Sequence, residues 1–167
     1  MRAWLTLAAG AAVYAAALAW AAGRLPPDGV PMHFGAGGAA DGFGSRGAAL
    51  TAMVLVGAGL LALGAGLVLL IHRGPLESVN LPHREHWLTE ERRPRLRRML
   101  GVDMAVLIGG TLAYLSIIPV STALAAAAPD RAVAPAALWT PTAVYLLGVL
   151  ARVVWMARYR YRPRVDR

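Results

Sequence analysis

Four long stretches without a charged residue are the feature of this sequence that most restricts its fold. They cover residues 3–23, 47–71, 104–129 and 132–151. A hydrocarbon core of about 30 Å requires about 20 apolar residues in a helix that rises roughly 1.5 Å per residue. Because open sheet edges are not tolerated in lipid, each stretch predicts a transmembrane helix. We expect an all-α integral membrane protein with four spans, at about 3–23, 48–71, 104–125 and 140–157.

The composition excludes the other broad classes. Hydrophobic residues make up 57% of the 167 residues and charged residues only 16%, against roughly 45–50% and about 25% in soluble domains. Segments that stay unfolded are poor in apolar residues, so disorder is excluded as well. The chain has no cysteine, which excludes disulfides and cysteine-ligated metal sites.

The limits of the spans are indicated by proline and tryptophan. Thr140 and Pro141 are a suitable N-cap and first-turn residue for the fourth span. That span would continue past Arg152, whose long side chain can carry its charge to the headgroups. Two pairs of tryptophans bracket the first and fourth spans and suit the two interfacial belts. They are Trp4 with Trp20, and Trp139 with Trp155.

The arginines predict the orientation. Of seventeen basic residues, all arginine, fourteen lie at residues 1–2, in the 72–100 loop or from residue 152 onward. The positive-inside rule therefore places both termini and the 72–100 loop in the cytoplasm, and the loops at 24–47 and 126–139 outside. The localisation predicted is the cytoplasmic membrane of a bacterium. The net charge of +8 is explained in this way, and the basic tail is expected to bind anionic lipid rather than nucleic acid.

The first span has an alternative interpretation. A basic start, an apolar core and the small residues around Ala19 and Ala21 are also typical of a cleaved signal peptide. Cleavage would leave three spans and would not change the orientation of the rest.

Small residues recur at every fourth position in three of the spans and allow helices to approach closely. We expect the series in the third span to be the most informative. The three series are Ala11, Ala15, Ala19, Gly23; Ala58, Ala62, Gly66; and Gly101, Ala105, Gly109, Ala113.

Asp103 is the one acidic residue at the edge of a span. The simpler interpretation is an interfacial carboxylate paired with the nearby Arg97 or Arg98. The functional alternative is an ion or proton site, because carboxylates inside a membrane commonly mark transport pathways.

The outer loop contains a polar motif among glycines and prolines. Val30–Phe34 is expected to be extended, and Asp41 with Gly42 is expected to form a tight hairpin turn. His33 and Asp41 are the polar groups best placed to act there. Imidazole changes protonation near neutral pH and binds metals, so a pH sensor or a metal site is conceivable. One histidine and one aspartate are too few ligands for a metal site, however, and structural packing is the simpler interpretation.

The inner loop contains a second motif. His83, Glu85 and His86 do not have the spacing of a zinc protease motif, so no metal or catalytic site is predicted. We expect Asn80 and Pro82 to set a turn and Trp87 to anchor the loop to the membrane.

Together the two loop motifs resemble those of the bacterial family called domain of unknown function 1648 (DUF1648). In longer relatives this module precedes the domain of Sdp-type immunity proteins, which protect a producing bacterium against a secreted peptide toxin. The resemblance implies a module over residues 1–100, followed by residues 101–167 with two further spans and an arginine-rich tail. The residues that carry it are Pro31, His33, Phe34, Gly38, Asp41, Gly42, Gly44, Ser45 and Arg46 outside, and Asn80, Leu81, Pro82 and Trp87 inside.

The predicted function is that of a non-enzymatic membrane protein that recognises a ligand or partner at the outer face, in an immunity-like or signalling role. A small oligomeric transporter, or a subunit of a transport complex, is the alternative. An interfacial enzyme using His83, Glu85 and His86 is disfavoured because no nucleophile–base pair accompanies them. We expect no cofactor, and as partners the lipid bilayer, a second copy or a membrane partner, and a peptide at the outer face.

Overall fold

Helices dominate the described part of the chain, as predicted. The computed structural model describes residues 1–163, so the last four residues of the predicted basic tail lie outside the described residues. In chain order the elements are α1 (Arg2–Ala22), β1 (Val30–Phe34), β2 (Ala40–Gly44), α2 (Arg46–Arg73), α3 (Arg84–Trp87), α4 (Arg93–Leu115), α5 (Ile117–Ala127) and α6 (Pro135–Trp155). A 3₁₀ turn, Leu76–Ser78, follows α2, and a π-helical turn, Met156–Arg160, continues α6.

Four helical segments are long and apolar enough to cross a membrane, in agreement with the predicted number of spans. They are α1, α2, α4 continued by α5, and α6 continued by its π-helical turn. The length and composition of these helices are therefore those of a membrane protein. Which side of the membrane each loop occupies stays a prediction from the arginines.

The third span is longer than predicted and is broken about two thirds of the way along its length. It starts at Arg93, with Pro94 in the first turn, and α4 ends at Leu115. Pro119 follows one turn later, and a proline cannot donate to the carbonyl four residues before it, which here is that of Leu115. The Ser116 hydroxyl donates instead to the Ala113 carbonyl at 2.6 Å. The break between α4 and α5 follows from this proline.

The start predicted for the fourth span at Thr140 and Pro141 is wrong. Helix α6 begins at Pro135, five residues earlier, and Pro141 lies inside it. Either proline suits a first helical turn. In the structure Pro135 occupies the first turn, and Pro141, inside the helix, removes one backbone hydrogen-bond donor near its start.

The tightest helix contact joins α1 and α4 through two glycines. A Cβ atom on Gly10 would lie 2.2 Å from the carbonyl oxygen of Gly109, and one on Gly109 would lie 2.9 Å from that of Thr6. Gly101, Ala105 and Gly109 are buried, so the predicted small-residue face of the third span is confirmed.

Most residues of the small-residue series predicted in the first two spans do not lie between helices, although Ala11 packs against the core. The buried face of α1 consists of other positions, and on α2 the predicted series is exposed. The buried residues of α1 are Ala3, Leu7, Gly10, Tyr14 and Ala21. Larger residues on α1 interlock with α2: the Tyr14 ring lies over Gly57, and its hydroxyl donates to the Met53 carbonyl at 2.7 Å.

Helix α6 lies at the edge of the bundle, with no buried residue. Polar side chains attach it to α4. Tyr145 and Thr111 share a hydrogen bond of 2.6 Å between their hydroxyls, and Tyr114 and Thr142 share one of 2.8 Å. The rings of Tyr114 and Tyr145 are stacked at 4.3 Å between centroids. These contacts locate α6 without an apolar core beneath it.

The loops gather at the two ends of the helical bundle. We call residues 24–47 and 126–139, which include the β-strands, the hairpin end. We call residues 1–3, 71–103 and 152–163 the basic end. At the basic end the Arg97 guanidinium donates to the carbonyls of Ile71 and Gly74, at 2.5 and 2.9 Å, and so caps the last turn of α2.

Candidate functional site

The outer motif forms a β-hairpin. Strands β1 and β2 pair antiparallel, with His33 opposite Gly42 and register shifts on either side of His33. The extended segment predicted at Val30–Phe34 is confirmed. The tight turn predicted at Asp41 and Gly42 is wrong, because both residues lie within β2. The reversal occurs before β2, where Gly38 has a φ of +81°, a backbone conformation that glycine adopts without strain.

Several motif residues have a structural role in this hairpin. Gly42 makes room for His33, since a Cβ there would lie 3.1 Å from the His33 Cβ, and Gly44 makes room for the Met32 side chain.

The two residues after the hairpin fix the start of α2. The Ser45 hydroxyl accepts from the Ala48 amide at 3.2 Å and caps α2. The Arg46 guanidinium donates to the Ala22 carbonyl at 2.5 Å and so connects the start of α2 with the end of α1.

The base of the hairpin is buried against the helices. Val30 is fully buried in an apolar cluster with Ala21, Ala49 and Ala123, and Pro31 is buried beside it. The turn is bound to the segment before α6, because the Val133 amide donates to the Gly38 carbonyl at 2.9 Å. The hairpin is therefore a fixed part of the fold.

His33 and Asp41 are exposed on this fixed hairpin. Their side chains pair directly, Nδ1 to Oδ1, with 73% and 57% of the side-chain surface exposed. Within the described residues, the second carboxylate oxygen of Asp41 and Nε2 of His33 have no recorded protein partner. Both atoms are available to a molecule that approaches from outside. The structure thus brings together the two residues that the sequence singled out.

An apolar groove lies beside this pair. It has a volume of about 430 Å³ and runs between the hairpin and the first turns of α6. His33 and Phe34 line one side, and Leu138, Trp139 and Thr142 line the other. The Trp139 indole N–H donates to the Ala36 carbonyl at 3.2 Å and closes the groove at the hairpin turn. An apolar groove with a polar rim can hold an apolar side chain in the groove and a hydrogen-bonding group at the rim.

A known family matches the part of the chain that contains this hairpin. The model of the family described as Domain of unknown function (DUF1648) matches residues 3–57. The predicted resemblance is confirmed over that range, which covers α1, the hairpin and the first part of α2. No curated protein and no solved structure matches the chain.

The inner motif lies outside the DUF1648 match, and its tryptophan is not a membrane anchor. Trp87 is 4% exposed and packs with Leu76, Leu96, Leu100 and Tyr161. Its indole N–H donates to the Tyr161 carbonyl at 2.9 Å. The prediction was wrong because the apolar residues that flank a tryptophan are the same whether the indole is buried in the protein or lies at the membrane interface.

Asn80 and Pro82 are exposed in the connection between the 3₁₀ turn and α3. Pro82 and His83 form the turn that precedes α3, and His83 has a φ of +56°, which is rare for a residue other than glycine. The turn predicted from the sequence at this position is confirmed.

Asp103 is fully buried at the basic end and holds three donors. The guanidinium of Arg152 lies 2.5 Å from Oδ1, that of Arg160 lies 2.7 Å from Oδ2, and the Tyr161 hydroxyl donates to Oδ2 at 2.6 Å. The pairing predicted with Arg97 or Arg98 is wrong. Arg152 pairs with Asp103, and the prediction that its charge reaches the headgroups stays a prediction. We call Asp103, Arg152, Arg160 and Tyr161 the aspartate cluster.

The partners of Asp103 were missed because they are 49 to 58 residues away in the chain. One signal for them exists in the sequence. Arg152 is a charged residue inside a predicted span, as Asp103 is one at the edge of another, and two opposite charges in lipid reduce each other's desolvation cost by pairing. The proximity of Arg97 and Arg98 along the chain concealed this pairing, since on α4 those two side chains face other groups.

Tyr161 remains a hydrogen-bond donor over the whole physiological pH range. Burial raises the pKa of its hydroxyl above the ordinary value of 10, and the hydrogen bond to Asp103 raises it further. The aspartate cluster is therefore a stable pairing of one carboxylate with two guanidinium groups and a neutral phenol.

No group of three or more histidine, aspartate or glutamate side chains is arranged to hold a metal ion within residues 1–163. His33 and Asp41 are two such side chains, and His83, Glu85 and His86 do not form a larger group.

Proposed function

We propose that this chain is a non-enzymatic, multi-pass protein of the bacterial cytoplasmic membrane that recognises a peptide at the outer face. The observation that carries the proposal is the exposed His33–Asp41 pair beside the apolar groove of the hairpin end. The pair is exposed on a hairpin that is otherwise bound to the helices, so it is free to be used for binding.

The chemistry of the groove favours a peptide over a lipid headgroup. Leu138, Trp139 and Phe34 offer apolar and aromatic surface, while Asp41 and His33 offer an acceptor and an imidazole nitrogen at its rim. A peptide supplies an apolar side chain together with amide or ammonium donors, which matches both parts. Phosphate is a poor match, because the carboxylate of Asp41, which is paired with His33 at the rim, repels an anion.

The position of the hairpin relative to the membrane rests on charge. The hairpin end carries Arg24, Arg46 and Arg131, and most of the other arginines belong to the basic end. By the positive-inside rule, the hairpin end faces outward and the basic end faces the cytoplasm.

Helix α6 is suited to convey binding from one end to the other. Its first turns line the groove through Leu138 and Trp139, and Arg152 near its far end is paired with Asp103. Because α6 has no buried residue, small changes at the groove meet little resistance from packing. A cytoplasmic partner at the 72–100 loop would detect the change at the aspartate cluster.

A transport role is less well supported by the charges of the described residues. Asp103 is the buried carboxylate that an ion pathway would use, and two guanidinium groups already neutralise it. The resemblance to DUF1648 adds an immunity-like role to the proposal, since longer relatives combine this module with the domain of proteins that give protection against a peptide toxin.

The test is a protection assay in the bacterium that carries the gene. A deletion strain receives the wild-type chain, the double variant His33→Ala/Asp41→Ala or the control Asp28→Ala, and is challenged with that strain's own secreted peptides. Asp28 is an exposed carboxylate of the same loop outside the groove. We expect the wild type and the control to restore growth, and the double variant to restore at least ten-fold less.

Membrane levels of the three proteins are compared by immunoblotting, so that loss of insertion is not mistaken for loss of recognition. A double variant that is inserted at the wild-type level and protects equally well would overturn the proposal. Growth that does not depend on the wild-type chain would overturn it as well.

A further inference from the structure

Two cavities lie side by side at the basic end. The first has a volume of about 620 Å³ and opens between the starts of α1 and α4. The second has a volume of about 500 Å³ and lies between α4 and the end of α6. Arg95, Met99 and Arg160 line both cavities and form the wall between them.

The lining of the two cavities is strongly cationic. Six arginines contribute to it, and no aspartate or glutamate within the described residues does. The six are Arg2, Arg92, Arg95, Arg98, Arg160 and Arg162. Arg160 is partly neutralised by Asp103, at 2.7 Å. Arg2, Arg95 and Arg98 have no recorded ion pair in the part of the chain that the structure describes, so their charge is available to an anion.

Apolar and aromatic side chains accompany the arginines. Ala3, Met99 and Val102 line the first cavity at the level where α1 and α4 enter their apolar stretches. Trp155 and Tyr159 line the second, and the Arg95 guanidinium lies 5.9 Å from the centroid of the Trp87 ring. A ligand of the pair of cavities therefore combines anionic groups with hydrocarbon.

We propose that the basic end is a binding site for an anionic phospholipid with two phosphate groups, one phosphate on each side of Arg95. Basic pockets between transmembrane helices are suited to such headgroups. Two adjoining cationic cavities with a shared arginine wall match a headgroup with two phosphates better than a headgroup with one. The acyl chains leave the first cavity along Val102 toward the bilayer. This site does not depend on what the hairpin end recognises.

The experiment measures lipid binding to the full chain in detergent by native mass spectrometry. The probes are cardiolipin, which has two phosphates, phosphatidylglycerol, which has one, and zwitterionic phosphatidylcholine. The variant is Arg95→Gln/Arg98→Gln, in which both replaced side chains are exposed. The matched control is Arg73→Gln/Arg158→Gln, which removes the same charge from exposed arginines of the basic end that line neither cavity.

We expect the wild type and the control to bind one cardiolipin at least ten-fold more tightly than phosphatidylglycerol. Because each arginine near an anionic headgroup contributes roughly a five-fold factor, the Arg95→Gln/Arg98→Gln variant should bind cardiolipin about thirty-fold more weakly. Elution volume and helical circular dichroism are compared first. If that variant does not fold, the cavity-filling variant Val102→Trp replaces it. We expect Val102→Trp to weaken the binding of cardiolipin and to leave the binding of phosphatidylglycerol unchanged.

Three results would overturn the proposal. One is equal affinity for cardiolipin and phosphatidylglycerol, which indicates a general electrostatic attraction. Another is an equal loss of cardiolipin binding in the control variant. The third is displacement of cardiolipin by millimolar inorganic pyrophosphate, which would make a soluble phosphate compound, and not a lipid, the ligand.

Discussion

At the scale of single residues, the most consequential one is Asp103. It is fully buried, and an unpaired carboxylate in such a place would cost several kcal/mol of desolvation. Arg152, Arg160 and Tyr161 satisfy it, and together they bind the end of α6 to α4. Since α6 lacks a buried apolar face, this polar contact accounts for much of its attachment.

Replacing Asp103 by asparagine should destabilise the fold strongly. The change leaves two partly buried guanidinium groups without their counter-charge, which is expected to cost about 3 kcal/mol of unfolding free energy. Thermal or SDS-induced unfolding in detergent micelles measures it. In the double variant Asp103→Asn/Arg152→Gln the loss should be smaller than the sum of the single losses, because the two residues act on one interaction. An Asp103→Asn protein as stable as wild type would contradict this account, with Asp28→Asn as the control.

At the scale of elements, the α1–α4 contact decides how the bundle closes. Gly10 and Gly109 let the two backbones approach until no side-chain carbon fits between them. In lipid, where the hydrophobic effect does not drive helix pairing, such close contact is a main source of attraction. The hairpin end depends on α1 as well, since its base packs on Ala21 of α1 and on Ala123 of α5.

A methyl group on Gly10 should therefore separate the two helices. The new Cβ would lie 2.2 Å from the backbone oxygen of Gly109, and backbone cannot move aside as a flexible side chain can. We expect Gly10→Ala to lose about 1–3 kcal/mol of stability in SDS-induced unfolding.

Gly110→Ala is the matched control for that change, because nothing lies within 4 Å of a Cβ at this exposed position. It should be neutral or raise stability by up to about 1 kcal/mol, since alanine is the better helix former. Equal effects of the two substitutions would show that the close approach of α1 and α4 does not stabilise the bundle.

At the scale of the whole molecule, charge separates the two ends. The hairpin end holds the exposed His33–Asp41 pair, and the basic end holds the aspartate cluster and the two cationic cavities. The length of α2, 28 residues between Ser45 and Gly74, suits the thickness of a bilayer with its interfaces. The predicted orientation places the hairpin end outside and the basic end in the cytoplasm.

Single cysteines test this orientation without a background, because the chain has none of its own. We expect Gly37→Cys at the hairpin end to react with a membrane-impermeant maleimide in intact cells. Glu90→Cys at the basic end should react only after the membrane is opened. Both positions are exposed in the structure. Labelling of both from the same side would contradict the four-span arrangement and the proposed site at the outer face.

Much of the architecture follows from the sequence, because it depends on local properties. Uncharged stretches of sufficient length require helices in lipid, and the glycines and prolines of the outer loop indicate turns around an extended segment at Val30–Phe34. The contacts of Asp103 and Trp87 do not follow in this way. For Asp103 the sequence offered nearby arginines, and its partner Arg152 lies on α6. For Trp87 it offered the membrane interface, and the indole instead bonds Tyr161, 74 residues away in the chain.

The sequence by itself determined the number of spans, the extended segment at Val30–Phe34 and the family of residues 3–57, since hydropathy and turn chemistry act over short distances. Only the tertiary structure decided that His33 and Asp41 face each other across the strands, that α6 is held by Asp103, and that arginines from three helices surround two cavities. The physical reason is that side-chain pairing in a bundle is set by which helix faces meet. Composition and spacing along one chain do not specify those faces.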